Sequence, residues 1–100
     1  MVSDQRWHIS RHRKVEKALK DLPDDIQEIY YFLEQDLKYK GPIQTGWKNY
    51  GKLVKGKNKE MYHCHLKKGR PTYVACWEII DKTIRILEVY YVGTHEKAPY

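Results

Sequence analysis

The first part of the chain spaces its hydrophobic residues as an amphipathic helix does. The residues that follow the i, i+3, i+4, i+7 pattern are Val15, Ala18, Leu19 and Leu22. Ser10 is available as an N-cap, since its hydroxyl can accept a hydrogen bond from a free backbone N–H of the first turn. The sequence therefore predicts a first helix after Ser10, with a basic outer face.

A second helix is predicted with Pro23 in its first turn, a position that suits proline. Asp24 and Asp25 lie at the positive end of its dipole, where negative charge is favourable. The predicted buried stripe contains Ile26, Ile29, Tyr30, Leu33 and Leu37. The Gly41-Pro42 pair ends the helix, and its acidic residues are expected to face solvent.

From Lys48 onward the spacing changes to a period of two, with short runs of β-branched and aromatic residues. Strands are predicted near residues 48–54, 60–66, 72–80 and 83–92, and the turns between them are short enough for hairpins. Residues 7–10 are a candidate for a further short strand at the sheet edge.

The order of these elements predicts the fold class. The two helices come before the four main strands, and no repeat or linker divides the chain. We therefore expect one α+β domain over residues 1–100, with two N-terminal helices packed on one face of a small antiparallel sheet. The other face of the sheet should be open.

Charge is strongly segregated along the chain, whose formal net charge is +6. Residues 21–37 contain six acidic residues and no lysine or arginine, whereas residues 38–70 contain ten lysines and arginines and only one acid, Glu60. Such a concentration of cations favours a polyphosphate partner, most simply a nucleic acid.

Two large classes are disfavoured by the sequence. It contains no run of roughly 18 apolar residues and no signal peptide, so we expect a cytoplasmic protein without membrane contact. In that compartment Cys64 and Cys76 should stay reduced, and both are predicted to be small buried residues.

Three histidines are the main candidates for chemistry. Alternation along residues 60–66 turns Tyr62, Cys64 and Leu66 toward the helices and turns Met61, His63 and His65 to the open face. His95 follows the last predicted strand, where Gly93 allows the backbone to turn. Adjacent strand residues face opposite ways, so Cys64 cannot join both histidines at one ion, and no metal or other cofactor is predicted.

Imidazoles, cations and a tyrosine on one basic surface suit acid and base catalysis. Cleavage of RNA fits these groups, because the 2′-hydroxyl of the substrate is itself the nucleophile. The enzyme then needs a base for that hydroxyl, cations for the crowded phosphate and an acid for the leaving oxygen.

The order of motifs resembles the RelE/ParE superfamily of type II toxin-antitoxin toxins over nearly the whole chain. Two helices separated by Leu22-Pro23 are followed by the basic stretch YGKLVKGKNKEMYHCHL and then by YVACWEIIDKTIRILEVYYVGTH. The ending GTHEKAPY, and GWKNY with YHCHL, are similar to YafQ-like and HigB-like members. The resemblance implies a compact α+β microdomain and, for the RelE-like branch, metal-independent cleavage of mRNA in the ribosomal A site.

The resemblance also implies roles for single residues. The candidate catalytic residues are His95, His65, Arg70 and Tyr100, of which Tyr100 matches an aromatic residue that aligns the scissile nucleotide. The candidate RNA and phosphate contacts are Lys52, Lys55, Lys57, Lys67, Lys68 and His63. Val74 stands where RelE has a strand arginine, and Arg70 on the adjacent turn is the candidate replacement.

The leading expectation is therefore a toxin that cleaves mRNA on the ribosome and is held by a cognate antitoxin. Its partners would be that antitoxin, the ribosome and mRNA. One alternative is a ParE-like inhibitor of DNA gyrase, or an inactive homologue that acts only by binding. Another is a general basic RNA-binding domain, which would bind with strong salt dependence and cleave nothing.

Overall fold

The computed structural model describes residues 5–53 and 59–100. These residues form a small α+β fold with two α-helices and a five-stranded sheet. The elements in chain order are β1 (His8–Arg11), α1 (Arg13–Asp21), α2 (Asp24–Lys40), β2 (Gly51–Leu53), β3 (Met61–Lys67), β4 (Tyr73–Asp81), β5 (Ile86–Thr94) and a 3₁₀ turn (His95–Lys97). None of the helices described here is long and apolar enough to cross a membrane.

The sheet is mixed, and this corrects the predicted architecture. The strand order is β1-β5-β4-β3-β2, with β2 to β5 antiparallel and β1 parallel to β5. The two helices thus follow a first strand, so the predicted arrangement of N-terminal helices on an antiparallel sheet is wrong in both respects. The reason is that β1 pairs with the outer edge of β5, where Ile9 also packs against the core. The proposed short strand at the sheet edge is confirmed.

The start of α1 also differs from the prediction. Ser10 lies within β1, and the N-cap is His12, whose Nδ1 accepts a hydrogen bond from the backbone N–H of Lys14 at 3.1 Å. The His12 N–H also donates to Val89 O on β5. The helix therefore begins later than predicted because the preceding residues are used by the sheet.

Helix α2 has the predicted end and the predicted buried side, and Pro23, predicted in its first turn, is its N-cap. Its fully buried side chains are Ile26, Tyr30, Leu33 and Leu37, and Ile29 packs against them. The helix ends at Gly41, which adopts a φ of +84°. A Cβ atom at that position would lie 2.8 Å from the indole nitrogen of Trp7, so both the backbone angle and the close packing require glycine.

The helices cover one face of the sheet and enclose a single hydrophobic core. Trp77 is fully buried at its centre, stacks with Tyr50 and Tyr62, and donates from Nε1 to Pro42 O at 3.1 Å. The predicted alternation along β3 is confirmed, because Tyr62, Cys64 and Leu66 all belong to this core. The other face of the sheet, which we call the open face, carries the candidate site.

Candidate active site

The open face is organised by the register of four neighbouring strands. Residues paired directly across antiparallel strands share a face, so each paired set forms a row across the sheet. The first row is Gly51, His63, Cys76 and Tyr91, and the second is His65, Val74 and Gly93. Val74 and Cys76 are fully buried, and they form the floor of the site. Both cysteines are buried, as predicted.

Two glycines make room for the larger side chains of these rows. A Cβ on Gly51 would lie 3.1 Å from His63 Nε2, and a Cβ on Gly93 would lie 2.8 Å from the hydroxyl of Tyr91. That hydroxyl donates to Thr94 O at 2.6 Å. The glycines therefore allow the His63 and Tyr91 rings to lie close to the backbone of the sheet.

The structure brings His65 and His95 together. His65 lies on β3 and its N–H donates to Lys48 O, whereas His95 begins the 3₁₀ turn and its N–H donates to Thr72 O, each at 2.8 Å. These backbone contacts place the two ring centroids 5.5 Å apart, with the ring planes at 70°. The pair is therefore fixed by backbone hydrogen bonds on both sides.

Tyr100 completes a cluster of four rings. After the 3₁₀ turn the chain returns over the open face, and Tyr100 packs on His63 with the ring centroids 4.7 Å apart. The edge-on contact between Tyr100 and His95 measures 5.8 Å between centroids. His63, Tyr100, His95 and His65 thus form a continuous series, which we call the four-ring cluster.

Both histidines of β3 have a lowered pKa. For His65 burial is the largest cause, and the positive charges of His95 and Lys68 add to it. For His63 burial again leads, followed by His65 and His95. Because both pKa values lie below the ordinary histidine value of about 6.5, both rings are neutral near pH 7. A neutral His65 can accept a proton.

A cleft opens beside His95. Its volume is about 520 Å³, and its lining is Gly69, Arg70, Pro71, Thr72, His95 and Glu96. The turn that forms one wall is held by Thr72, whose hydroxyl accepts from the N–H of Gly69 at 3.2 Å and donates to the Gly69 carbonyl at 3.0 Å. Arg70 and His95 thus line the same cleft.

The predicted cations do not all lie at this site. Lys68 is close enough to His65 to lower its pKa. Lys67 instead forms an ion pair with Asp25 of α2 at 2.6 Å. Lys52 is opposite Tyr62 in the pairing of β2 with β3, so it lies on the face of the sheet that packs against the helices. Lys55 and Lys57 lie outside the described residues. Within the described part, Lys68 and Arg70 are thus the predicted cations nearest the histidines.

Several residues of the site were missed by the sequence analysis. Gly51 and Tyr91 shape the floor, and Glu96 adds a carboxylate to the cleft. Simple alternation on β5 would place Val89 and Tyr91 on the same face. The register shifts between Cys76 and Trp77, however, so Val89 faces the core and Tyr91 faces the open side. The only signal in the sequence was the doubled Tyr90-Tyr91, which is compatible with a bulge.

Within residues 5–53 and 59–100, no three His, Cys, Asp or Glu side chains are arranged to bind one metal ion. The histidine rings of the open face pack on one another and on Tyr100. No protein-family model matches the chain, and no curated protein or solved structure shows a significant match to it.

Proposed function

We propose that this protein is a metal-independent endoribonuclease centred on His65 and His95. The observation that carries the proposal is the pairing of these imidazoles, 5.5 Å apart, at the edge of a cleft that also contains Arg70. Two imidazoles and a guanidinium can supply the base, the acid and the cation that cleavage of RNA by its own 2′-hydroxyl requires.

The reaction divides among these groups. A base takes the proton of the 2′-hydroxyl, whose oxygen attacks the adjacent phosphorus, and an acid gives a proton to the leaving 5′-oxygen. The products are a 2′,3′-cyclic phosphate and a 5′-hydroxyl. His65 takes the role of base, since its lowered pKa keeps it neutral, and His95 beside the cleft takes the role of acid. Arg70 stabilises the added negative charge on phosphorus, and Tyr100 stacks on or aligns the nucleotide.

The biological setting we propose is a type II toxin that cleaves mRNA on the ribosome and is inhibited by a cognate antitoxin. Its support is the resemblance to the RelE/ParE superfamily in the order of helices, basic hairpin and Gly-Thr-His ending, together with the α+β class of the fold. The basic segment 38–70 is suited to a ribosomal RNA surface.

A second candidate function is binding without cleavage, as a ParE-like gyrase inhibitor or an inactive homologue. One observation favours it. Val74, which stands where RelE has an arginine, is fully buried in the floor between His65 and Gly93 and contributes no charge. If Arg70 does not replace that cation, the site lacks its main means of stabilising the transition state.

The test is primer extension on an mRNA in a cell-free translation system, with and without ribosomes. The wild-type chain is compared with His95→Ala and with His8→Ala. The second is a matched control, because His8 is exposed and pairs with Ile86 at the opposite end of β5 from His95. We expect cuts in phase with codons that need ribosomes, persist in His8→Ala and disappear in His95→Ala. The fragments should end in 2′,3′-cyclic phosphates. Intact mRNA with the wild-type chain would support the binding function instead.

A further inference from the structure

His63 occupies an unusual position for a residue that the sequence suggests as a phosphate contact. Its Nε2 lies against the backbone of β2 at Gly51, where an added Cβ would be only 3.1 Å away. Its Nδ1 is buried and has no hydrogen-bond partner among the described residues. The buried Nδ1 is therefore not available to a phosphate, and His63 is not among the residues that line the cleft beside His95.

The contact that His63 does make is with an aromatic ring. Tyr100 packs on it at 4.7 Å between centroids, with an angle of 32° between the planes, and the same Tyr100 ring meets the edge of His95. Tyr100 is 39% exposed, so only part of its ring is held by the protein. An aromatic contact of this kind can favour one orientation of a ring by up to about tenfold.

We propose that His63 is a positioning residue, whose ring is the platform that holds Tyr100 against His95. This platform lies against Gly51 of β2, and Tyr100 packs on its outer side. Its effect on RNA cleavage rests on the proposed function, whereas the platform itself is a property of the fold. Burial and the neighbouring histidines keep the ring uncharged, which suits packing better than ion binding.

The first experiment measures the platform without any substrate. In proton NMR spectra, cross-relaxation between the rings of Tyr100 and His95 reports whether Tyr100 is docked. We expect this signal to be lost in His63→Ala, and to be present in His63→Phe, which keeps an aromatic ring but no nitrogen, and in the control His8→Ala. Resonances of the buried Trp77 show in the same spectra that each variant is folded. A signal retained in His63→Ala, or lost in His63→Phe, would overturn the proposal.

The second experiment is a double-mutant cycle on the single-turnover rate of RNA cleavage. We expect His63→Ala to slow cleavage about tenfold with RNA affinity unchanged, and His63→Phe to restore most of the rate. Because His63 acts through Tyr100, the double variant His63→Ala/Tyr100→Ala should be no slower than Tyr100→Ala alone. Effects that multiply would show that His63 acts directly and would refute the positioning role. If the wild-type chain cleaves no RNA, the proposed function fails while the NMR experiment still decides the platform.

Discussion

The rings of His65 and His95 meet at 5.5 Å although one lies within β3 and the other follows β5. Strand β4 lies between β3 and β5 and pairs with each of them, so the sheet sets the distance between the two rings. Each histidine is also tied to a neighbouring segment by its backbone N–H. The geometry is therefore present before substrate binds, and we expect little rearrangement of these two side chains during the reaction.

The lowered pKa of His65 predicts the acid side of the pH profile. If His65 must be neutral to accept a proton, the cleavage rate should rise with pH through an inflection below the ordinary histidine value of about 6.5. Lys68→Ala removes a positive charge that lowers this pKa, so the inflection should move to higher pH. Single-turnover rates between about pH 5 and 8 measure both effects. An inflection that does not move in Lys68→Ala would argue against His65 as the base.

The adjacent lysines Lys67 and Lys68 provide a matched pair. Lys67 is engaged with Asp25 on the helix side, whereas Lys68 is close to His65. We expect Lys68→Ala to weaken RNA binding and to reduce the slope of affinity against salt concentration by about one, and Lys67→Ala to do neither. Titrations of a labelled RNA at several salt concentrations give both quantities. Equal losses in the two variants would contradict the assignment of Lys67 to the helix side.

Folding stability should fall as the solution is acidified from neutral pH. His63 and His65 have folded-state pKa values below the unfolded value, so the unfolded chain binds more protons as pH falls through about 6.5. The stability that the two neutral histidines contribute is fully present above about pH 6.5, and it is lost as pH falls through their lower pKa values in the folded protein. Urea unfolding at about pH 7.5 and pH 5 measures the loss, which should be smaller in His63→Phe. A loss of the same size in that variant would show that His63 does not take part.

Gly51→Ala should disturb the platform without removing any functional group. Its methyl group would lie 3.1 Å from His63 Nε2, so the imidazole must move and Tyr100 loses its support. We expect a cost of about 1 kcal/mol in the free energy of unfolding and slower cleavage. Gly46→Ala is the control, because a Cβ there meets no atom within 4 Å. Denaturant unfolding and the cleavage assay should separate the two variants, and identical behaviour would contradict the packing described here.

Gly41→Ala tests the junction between α2 and the chain that enters β1. The substitution places a side chain at a φ of +84° and within 2.8 Å of the Trp7 indole. We expect a loss of about 2 kcal/mol in the free energy of unfolding, from backbone strain and displaced packing together. Chemical denaturation followed by tryptophan fluorescence measures it. A loss no larger than that of Gly46→Ala would contradict this account.

Much of the fold follows from hydrophobic spacing in the sequence. The stripe of α2 and the alternation along β3 are strong because each element buries one side only, so the two histidines of β3 were placed correctly. The short strand β1 is less visible, because four residues carry little periodic signal, and its parallel pairing depends on the distant strand β5.

The candidate site was predictable only where the pairing of strands is regular. The register shifts between His65 and Lys67, which turns Lys67 toward α2, and it shifts again on β5, which turns Tyr91 to the open face. Bulges of this kind are set by tertiary packing and have no periodic signature. The return of Tyr100 to His63 was likewise not visible, since residues 95–100 show no regular alternation.

The parallel pairing of β1 with β5 has a consequence for how the protein folds. It joins residues 8–11 to residues 86–89, so almost the whole chain lies between the two partners. Closing so long a loop costs conformational entropy before any contact is gained, whereas the hairpins of β2 to β5 close locally. We therefore expect the meander to form before β1 pairs with β5.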